Sequence, residues 1–177
     1  DCAGNRVTQI KTADGDGYKL TQHELASELA YTFSGTTPTV ALLDKADRGE
    51  LSSPDVLLTE AKALIATPRG QEVVRQLFKS WFRYERAATV TRPDVANYFN
   101  VRNSLVEETK RFIDQVVLTD RGGLNQLLTA NYTFLDATLV QHYGYGTASG
   151  GFARATRPPD WGIGVLAQGS ILAANAQ

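Results

Sequence analysis

The sequence predicts a mainly α protein, an irregular multi-helix bundle preceded by a short N-terminal β hairpin or arm. Three observations predict it. Helix-start devices recur along the chain; apolar residues follow them at three- and four-residue spacings; and only the first seventeen residues read as a strand running into a glycine turn. With 177 residues, 42% of them hydrophobic, one compact core is expected, with room for an appendage.

In residues 1–17, Val7-Thr8-Gln9-Ile10-Lys11-Thr12 reads as a strand and Ala13-Asp14-Gly15-Asp16-Gly17 as a tight turn, so this stretch is an arm or edge hairpin. Thr21-Gln22-His23-Glu24 is a capping box, flanked by Leu20 and Leu25 at the positions of a hydrophobic staple, and a helix starts at Gln22. Its stripe is Leu25, Ala26, Leu29, Ala30 and Phe33, closed by Ser34-Gly35 and Pro38. Residues 38–48 form a short helix expected to bury Val40, Leu42 and Leu43. Ser53 with Pro54 opens the next, through Ile65, burying Val56, Leu57, Ala61, Leu64 and Ile65.

Thr67-Pro68 repeats that device. Val74, Leu77, Phe78 and Trp81 then fall at i, i+3, i+4 and i+7, which predicts a central core helix over 68–84 anchored by Trp81. A linker over 86–94 leads to the longest helical pattern, 101–118, with Leu105, Phe112 and Val116 on one face and a Glu107–Arg111 pair at i, i+4. A turn at 119–123 precedes a short helix over 124–128. Thr133 to Asp136 reads as a capping box before Leu135, Leu139 and Val140, and Gly144 ends that helix. Residues 144–151 and 157–160 have the composition of a long loop, and 165–174 is an apolar stretch with helical potential.

Charge narrows the function classes. Eighteen basic against nineteen acidic side chains and a pI near 6.2 give no positive field to draw nucleic acid or an anionic membrane surface. No run approaches the roughly 18 apolar residues of a membrane span, and Asp1-Cys2-Ala3-Gly4 lacks a signal-like apolar core, so a soluble chain is expected. Cys2 is the only cysteine; it either remains a free thiol or bridges another segment or chain.

No constellation declares a reaction. Asp14 and Asp16 lack the further oxygen ligands and the Glu of a calcium loop, and a turn accounts for them. His23 and His142 stand far apart without metal-ligand spacing; His23 reads as a surface residue. His142 sits beside Tyr143 at a helix C-terminus, where the dipole favours a protonated imidazole and where a cofactor edge has access. These two are the weak cofactor-binding candidates, against capping or packing. Glu107 and Glu108 point in different directions and form no facing carboxylate pair; Glu107 reads as a salt-bridge residue. There is no Gly-x-Ser-x-Gly elbow. Gly162-Ile163-Gly164 lacks the third glycine of a nucleotide loop, and close backbone packing against Trp161 is the expectation. No CxxCH occurs, which excludes covalent c-type haem in this sequence.

Several segments together resemble a planctomycete-type family of unknown function associated with cytochrome-c modules. They are Tyr18-x-Leu20-Thr21, Glu24-Leu25-Ala26-Ser27-x-Leu29-x-Tyr31 with Pro38, the Val74 to Trp81 helix, Glu108-Thr109 with Phe112, Leu127 to Phe134, and His142-Tyr143-Gly144. Gly162 to Ser170 resembles the start of the companion domain that follows in such proteins, with Trp161 where an Arg is usual. The resemblance implies an arm over 1–17, a helical domain over 18–152, and from 153 to 177 the beginning of a companion domain, cut short. It implies a large exported protein, periplasmic or extracellular, with no catalytic residue to carry over. The leading expectation is a non-catalytic structural or interaction domain of a cytochrome-associated assembly, with no cofactor of its own. Its partner is another protein chain or the remainder of the same polypeptide. The alternative is a subunit of a haem-dependent oxidoreductase whose redox centre lies in another domain or chain, met by His142 and Tyr143 or by residues 154–161. Carbohydrate processing is a third class, for which no carboxylate is nominated.

Overall fold

The computed structural model describes residues 8–12, 15–147 and 150–176. Cys2 and Asp14 lie outside the described residues, and with them the disulfide expectation and half of the aspartate pair. The fold is mainly α, as predicted. Contacts divide the chain into two compact units meeting at residues 74 and 75, where length predicted one.

In the first unit, strands β1 (Thr8–Thr12) and β2 (Gly15–Lys19) pair antiparallel with Thr8 opposite Lys19 and Thr12 opposite Gly15, the expected hairpin, except that Gly15, Asp16 and Gly17, expected in the turn, are strand residues paired to β1. Helix α1 (Gln22–Ser34) starts at its capping box: Thr21 N–H donates to Glu24 Oε2 at 2.7 Å, and Glu24 N–H donates to Thr21 Oγ1 at 3.3 Å. It stops at Gly35, whose φ of 62° is the left-handed region that glycine enters without a Cβ penalty. Its stripe Ala26, Leu29 and Ala30 packs with Leu42 and Ala46 of α2 (Val40–Asp47) and with Leu51. Gln22 ties α1 to the single 3₁₀ turn over Glu50–Ser52, accepting from Leu51 N–H at 2.9 Å and donating to Ser52 Oγ at 2.7 Å.

Helix α3 (Pro54–Ala66) covers this core with side chains that stay half-buried, and Val40 of α2 is 75% exposed, so both helices bury less than their apolar patterns promised. The reason is that a helix only about two to four turns long, lying on one side of a small core, meets neighbours along a narrow strip of its apolar face. Helix α4 (Pro68–Phe82) begins in close contact with α3: a Cβ on Gly70 would lie 2.1 Å from Leu64 O.

The central-helix expectation fails at α4. Trp81 is 61% exposed and Leu77 59%, so Trp81 is no core anchor. Periodicity shows which residues share a face and is silent on how much of that face is met. In the second unit only Phe78 and Phe82 of α4 pack on the core, while Trp81 stacks on Phe82 with ring centroids 5.0 Å apart.

The centre of the second unit is α5 (Tyr98–Ile113), which continues as a π-helical turn over Asp114–Thr119. Val101, Leu105, Phe112, Ile113 and Val116 are buried along it, and Glu107 meets Arg111 at 2.8 Å as expected. Helix α6 (Leu124–Thr129) follows. The capping box expected at Thr133 does not form. Residues Tyr132–Leu135 are strand β3, and Asp136 alone caps α7 (Ala137–Tyr143), accepting from Leu139 N–H at 2.8 Å. Strand β4 (Ala153–Thr156), between the two stretches expected as loop, pairs antiparallel with β3, Tyr132 opposite Thr156 and Leu135 opposite Ala153. Such a four-residue strand carries no legible period of its own; the partner's backbone creates it.

The glycine pair after Trp161 also differs from expectation. Gly164, at φ 69°, donates its N–H to Ala130 O at 2.9 Å, and a Cβ there would sit 2.0 Å from Leu128 O. Its close approach is to the end of α6, not to Trp161. The apolar tail then forms a 3₁₀ turn over Val165–Ala167, breaks at extended Gln168, and ends in α8 (Gly169–Asn175).

Candidate functional site

Glu108 stands on α5 three residues after Leu105 and four before Phe112, which places it on the helix's core face. It is fully buried there. Three side chains meet its carboxylate. Thr133 of β3 donates from Oγ1 to Oε1 at 2.6 Å, and Tyr143 at the end of α7 donates from its hydroxyl to Oε2 at 2.8 Å. Arg157, just beyond β4, brings Nη2 to 3.5 Å from Oε1 with its side chain 4% exposed.

Gln168, the extended break before α8, places its amide oxygen 3.2 Å from Thr133 Oγ1. That hydroxyl has one proton and spends it on the shorter bond to Glu108, while Gln168 Nε2 is buried without an acceptor. Turning the amide by half a rotation lets Nε2 donate to Thr133 Oγ1 while that hydroxyl donates to Glu108. Beside it Thr109 and Ser170 share a buried 2.7 Å hydrogen bond between hydroxyls. Gly169 lets α8 come this close: a Cβ there would meet Tyr143 Oη at 2.3 Å and Leu105 Cδ2 at 2.6 Å.

Burial pushes the Glu108 pKa up to about 7; the hydrogen bonds from Thr133 and Tyr143 and the charge of Arg157 oppose that rise. Burial, followed by the Glu108 charge, pushes the Tyr143 phenol far up, so it stays a donor. Arg157 donates from Nη1 to Gly162 O at 3.3 Å and to Ala167 O at 3.2 Å, fixing the segment that carries Trp161.

Above the cluster opens a cleft of about 410 Å³, floored by Tyr143, Arg157 and Gly169 and walled by Trp161, Ile163, Leu166 and Leu172. Those four wall side chains are 38 to 56% exposed. Tyr143, Tyr145 and Trp161 form an aromatic group at the cleft, Trp161 standing edge-on to Tyr143 at 5.5 Å and to Tyr145 at 4.9 Å.

Chemically the cluster is a clamp that holds one proton near neutrality, not an exposed base. Both Glu108 oxygens are engaged and no part of the residue reaches solvent, so it meets no substrate hydroxyl in this arrangement. The two sequence candidates part company: Tyr143 turns inward to Glu108, while the half-exposed His142 stays at the last turn of α7 with its ring 5.2 Å from that of Tyr143. Gly144, at φ 73°, closes the helix as expected. His23 lies on the surface 3.1 Å from Asp47. Comparison with Glu107 alone does not reveal Glu108 as a site residue; its place between Leu105 and Phe112 is the sequence signal for a buried carboxylate. Thr133 and Arg157 offered no local signal, since strand pairing brings them in.

Among the described residues no three His, Cys, Asp or Glu side chains gather as a metal site, and no helix is long and apolar enough to cross a membrane. No curated protein and no solved structure matches the chain. Residues 20–145, well over half of the sequence, match a family model that spans α1 through α7 with Glu108, Thr133 and Tyr143 inside it. The chain therefore belongs to the PSD4 family, described as protein of unknown function (DUF1592).

Proposed function

We propose that the chain is a helical structural or interaction domain of an exported, cytochrome-associated multidomain protein or assembly, working in the periplasm or outside the cell. It holds no cofactor of its own. The observation that carries this reading is the apolar cleft beside a sealed polar clamp: Trp161, Ile163, Leu166 and Leu172 present a contiguous partly exposed wall. The clamp below fixes that wall and offers no reactive group to it. Such a wall suits apolar side chains of another protein chain or of the remainder of the same polypeptide.

Native mass spectrometry of the complex isolated with its partner tests this. A particle heavier than the chain's 19.3 kDa is expected, and Leu166→Asp should release the partner while leaving the fold intact. Particles whose mass and composition are unchanged by Leu166→Asp and Leu172→Asp would sink the proposal.

One observation favours a second reading, a subunit of a haem-dependent oxidoreductase. Tyr143, next to His142, lines an apolar cleft with aromatic walls, a setting suited to the edge of a haem supplied by a partner. Haem absorbance in the isolated complex that His142→Ala abolishes and Arg69→Ala does not would select it over the first.

A further inference from the structure

The hydroxyl of Thr133 faces a base on one side and an acyl carbon on the other. It donates to Glu108 Oε1 at 2.6 Å, and the side-chain amide of Gln168 meets it at 3.2 Å. All three side chains are fully buried. A half rotation of the amide exchanges its oxygen and nitrogen and leaves its carbon, Cδ, in place. That carbon is one bond of about 1.2 Å from the amide oxygen and hence within about 4.4 Å of Oγ1. A side-chain shift on the order of 1 Å brings it to the roughly 3–3.5 Å of a near-attack pair.

The other requirements of acyl transfer are met inside the same cluster. Burial holds the Glu108 pKa at about 7, so its carboxyl takes a proton and returns it near neutrality. Tyr143 occupies Oε2 at 2.8 Å, which keeps Oε1 turned to Thr133. Arg157 holds Ala167 O, the carbonyl preceding Gln168, through Nη1 at 3.2 Å, and brings Nη2 to 3.5 Å from Glu108 Oε1. Its Nε and Nη2 are buried without a hydrogen-bond acceptor, cationic donors of the kind that stabilises a developing oxyanion. An amide is a poor acyl donor in water, but fixed neighbours react at effective concentrations on the order of 10⁵–10⁸ M. Both reactants belong to the chain, so nothing has to enter, and the burial that closes the cluster to a ligand keeps water from the product.

We propose that the chain cross-links itself here, joining Thr133 Oγ1 to Gln168 Cδ in an intramolecular ester. Glu108 takes the hydroxyl proton as Oγ1 bonds to Cδ, and that proton then passes to Nε2. The Cδ–Nε2 bond breaks with its electron pair on nitrogen, the carbonyl re-forms, and one ammonia leaves. No oxidant, cofactor or further reactant enters the balance. The new bond ties β3 to the extended residue before α8 across 35 positions of sequence. It needs no partner and is independent of the interaction surface at Trp161.

Intact-mass spectrometry of the full chain, followed by tryptic mapping, tests it. A mass about 17 Da below that of the sequence is expected, the loss of one ammonia. Thr133 and Gln168 fall in different tryptic peptides, because Arg154 lies between them. Those peptides should run as one linked species that mild alkali separates, leaving a carboxylate at position 168. Thr133→Val removes the nucleophile and Glu108→Gln the base, each at nearly constant shape, and both should show the full sequence mass. Thr133→Ser, which keeps a hydroxyl, should retain the loss. A native chain at its full sequence mass overturns the proposal, and that measurement stands even where a variant does not fold. So does a loss of one ammonia that persists in Thr133→Val or leaves the two peptides unlinked, the mark of an asparagine succinimide. Complete cross-linking in Glu108→Gln overturns it as well.

Discussion

The first unit buries Ala26, Leu29, Ala30, Leu42, Ala46 and Leu51 against one another, and its buried Ser34 hydroxyl is satisfied within its own helix by Ala30 O at 2.8 Å. The second unit buries Glu108, Thr109, Thr133, Arg157, Gln168 and Ser170 beside its apolar cores. The difference is one of range. Helices of the first unit are begun and ended by neighbours three or four residues away, whereas the polar cluster of the second draws its partners from positions 25, 35 and 61 residues apart. A core of the first kind tolerates loss piecemeal, because each contact is a small apolar one. A core of the second kind is coupled, because removing one member strands a charge in the interior.

The sharpest way to break this contrast is Glu108→Ala. It leaves Arg157 buried without its carboxylate, and a loss of about 3–5 kcal/mol is expected in urea unfolding followed by tryptophan fluorescence. Both tryptophans, Trp81 and Trp161, lie in the second unit. A loss below about 1 kcal/mol would show the cluster to be passive filling.

The response to pH should have opposite signs in the two units. Folding holds the Glu108 pKa near 7, above the ordinary 4.5, so the folded second unit binds the extra proton. Its contribution is fully present below about pH 4.5 and is lost as pH rises through 7, on the order of 3 kcal/mol at about 1.4 kcal/mol per pH unit. In the first unit the backbone N–H of Thr21 holds Glu24 below its ordinary value, and Arg48 does the same for Glu50. That unit therefore gains nothing from acid and loses support as these carboxylates protonate. Tryptophan-detected unfolding at pH 5 and pH 8, for the native chain and for Glu108→Gln, checks this. A pH slope that survives in Glu108→Gln would assign it elsewhere.

Smaller effects sharpen the first unit's side of the contrast. Leu42→Ala should cost about 2–3 kcal/mol, the transfer and cavity terms for one buried leucine on a short helix. Thermal unfolding followed by circular dichroism checks that loss. Thr21→Ala removes the hydroxyl half of the capping box and should cost about 1 kcal/mol, read as fraying at the start of α1 by amide exchange.

Much of the fold was legible for a physical reason visible in particular residues. Thr21 and Glu24 meet across three residues, and Gly35 and Gly144 each adopt the left-handed conformation that ends a helix. Asp136, the far end of the expected capping box, is itself the cap, so the helix starts a few residues later than expected. The candidate site was legible only in part. Tyr143 was singled out beside His142 for its place at a helix end, yet its role is set by Glu108. The amphipathic face of α4 was legible; the exposure of Trp81 on it was not.

The sequence by itself determined the helical class, the hairpin, most helix starts and stops, and family membership, because each rests on contacts between residues a few positions apart or on residue order. Only the tertiary structure decided which apolar faces are covered, that Thr133 and Arg157 converge on Glu108 through the β3–β4 pairing, and that Gly169 lets α8 close against Tyr143. Those contacts join elements distant along the chain, and their free energy depends on a burial that no local pattern encodes.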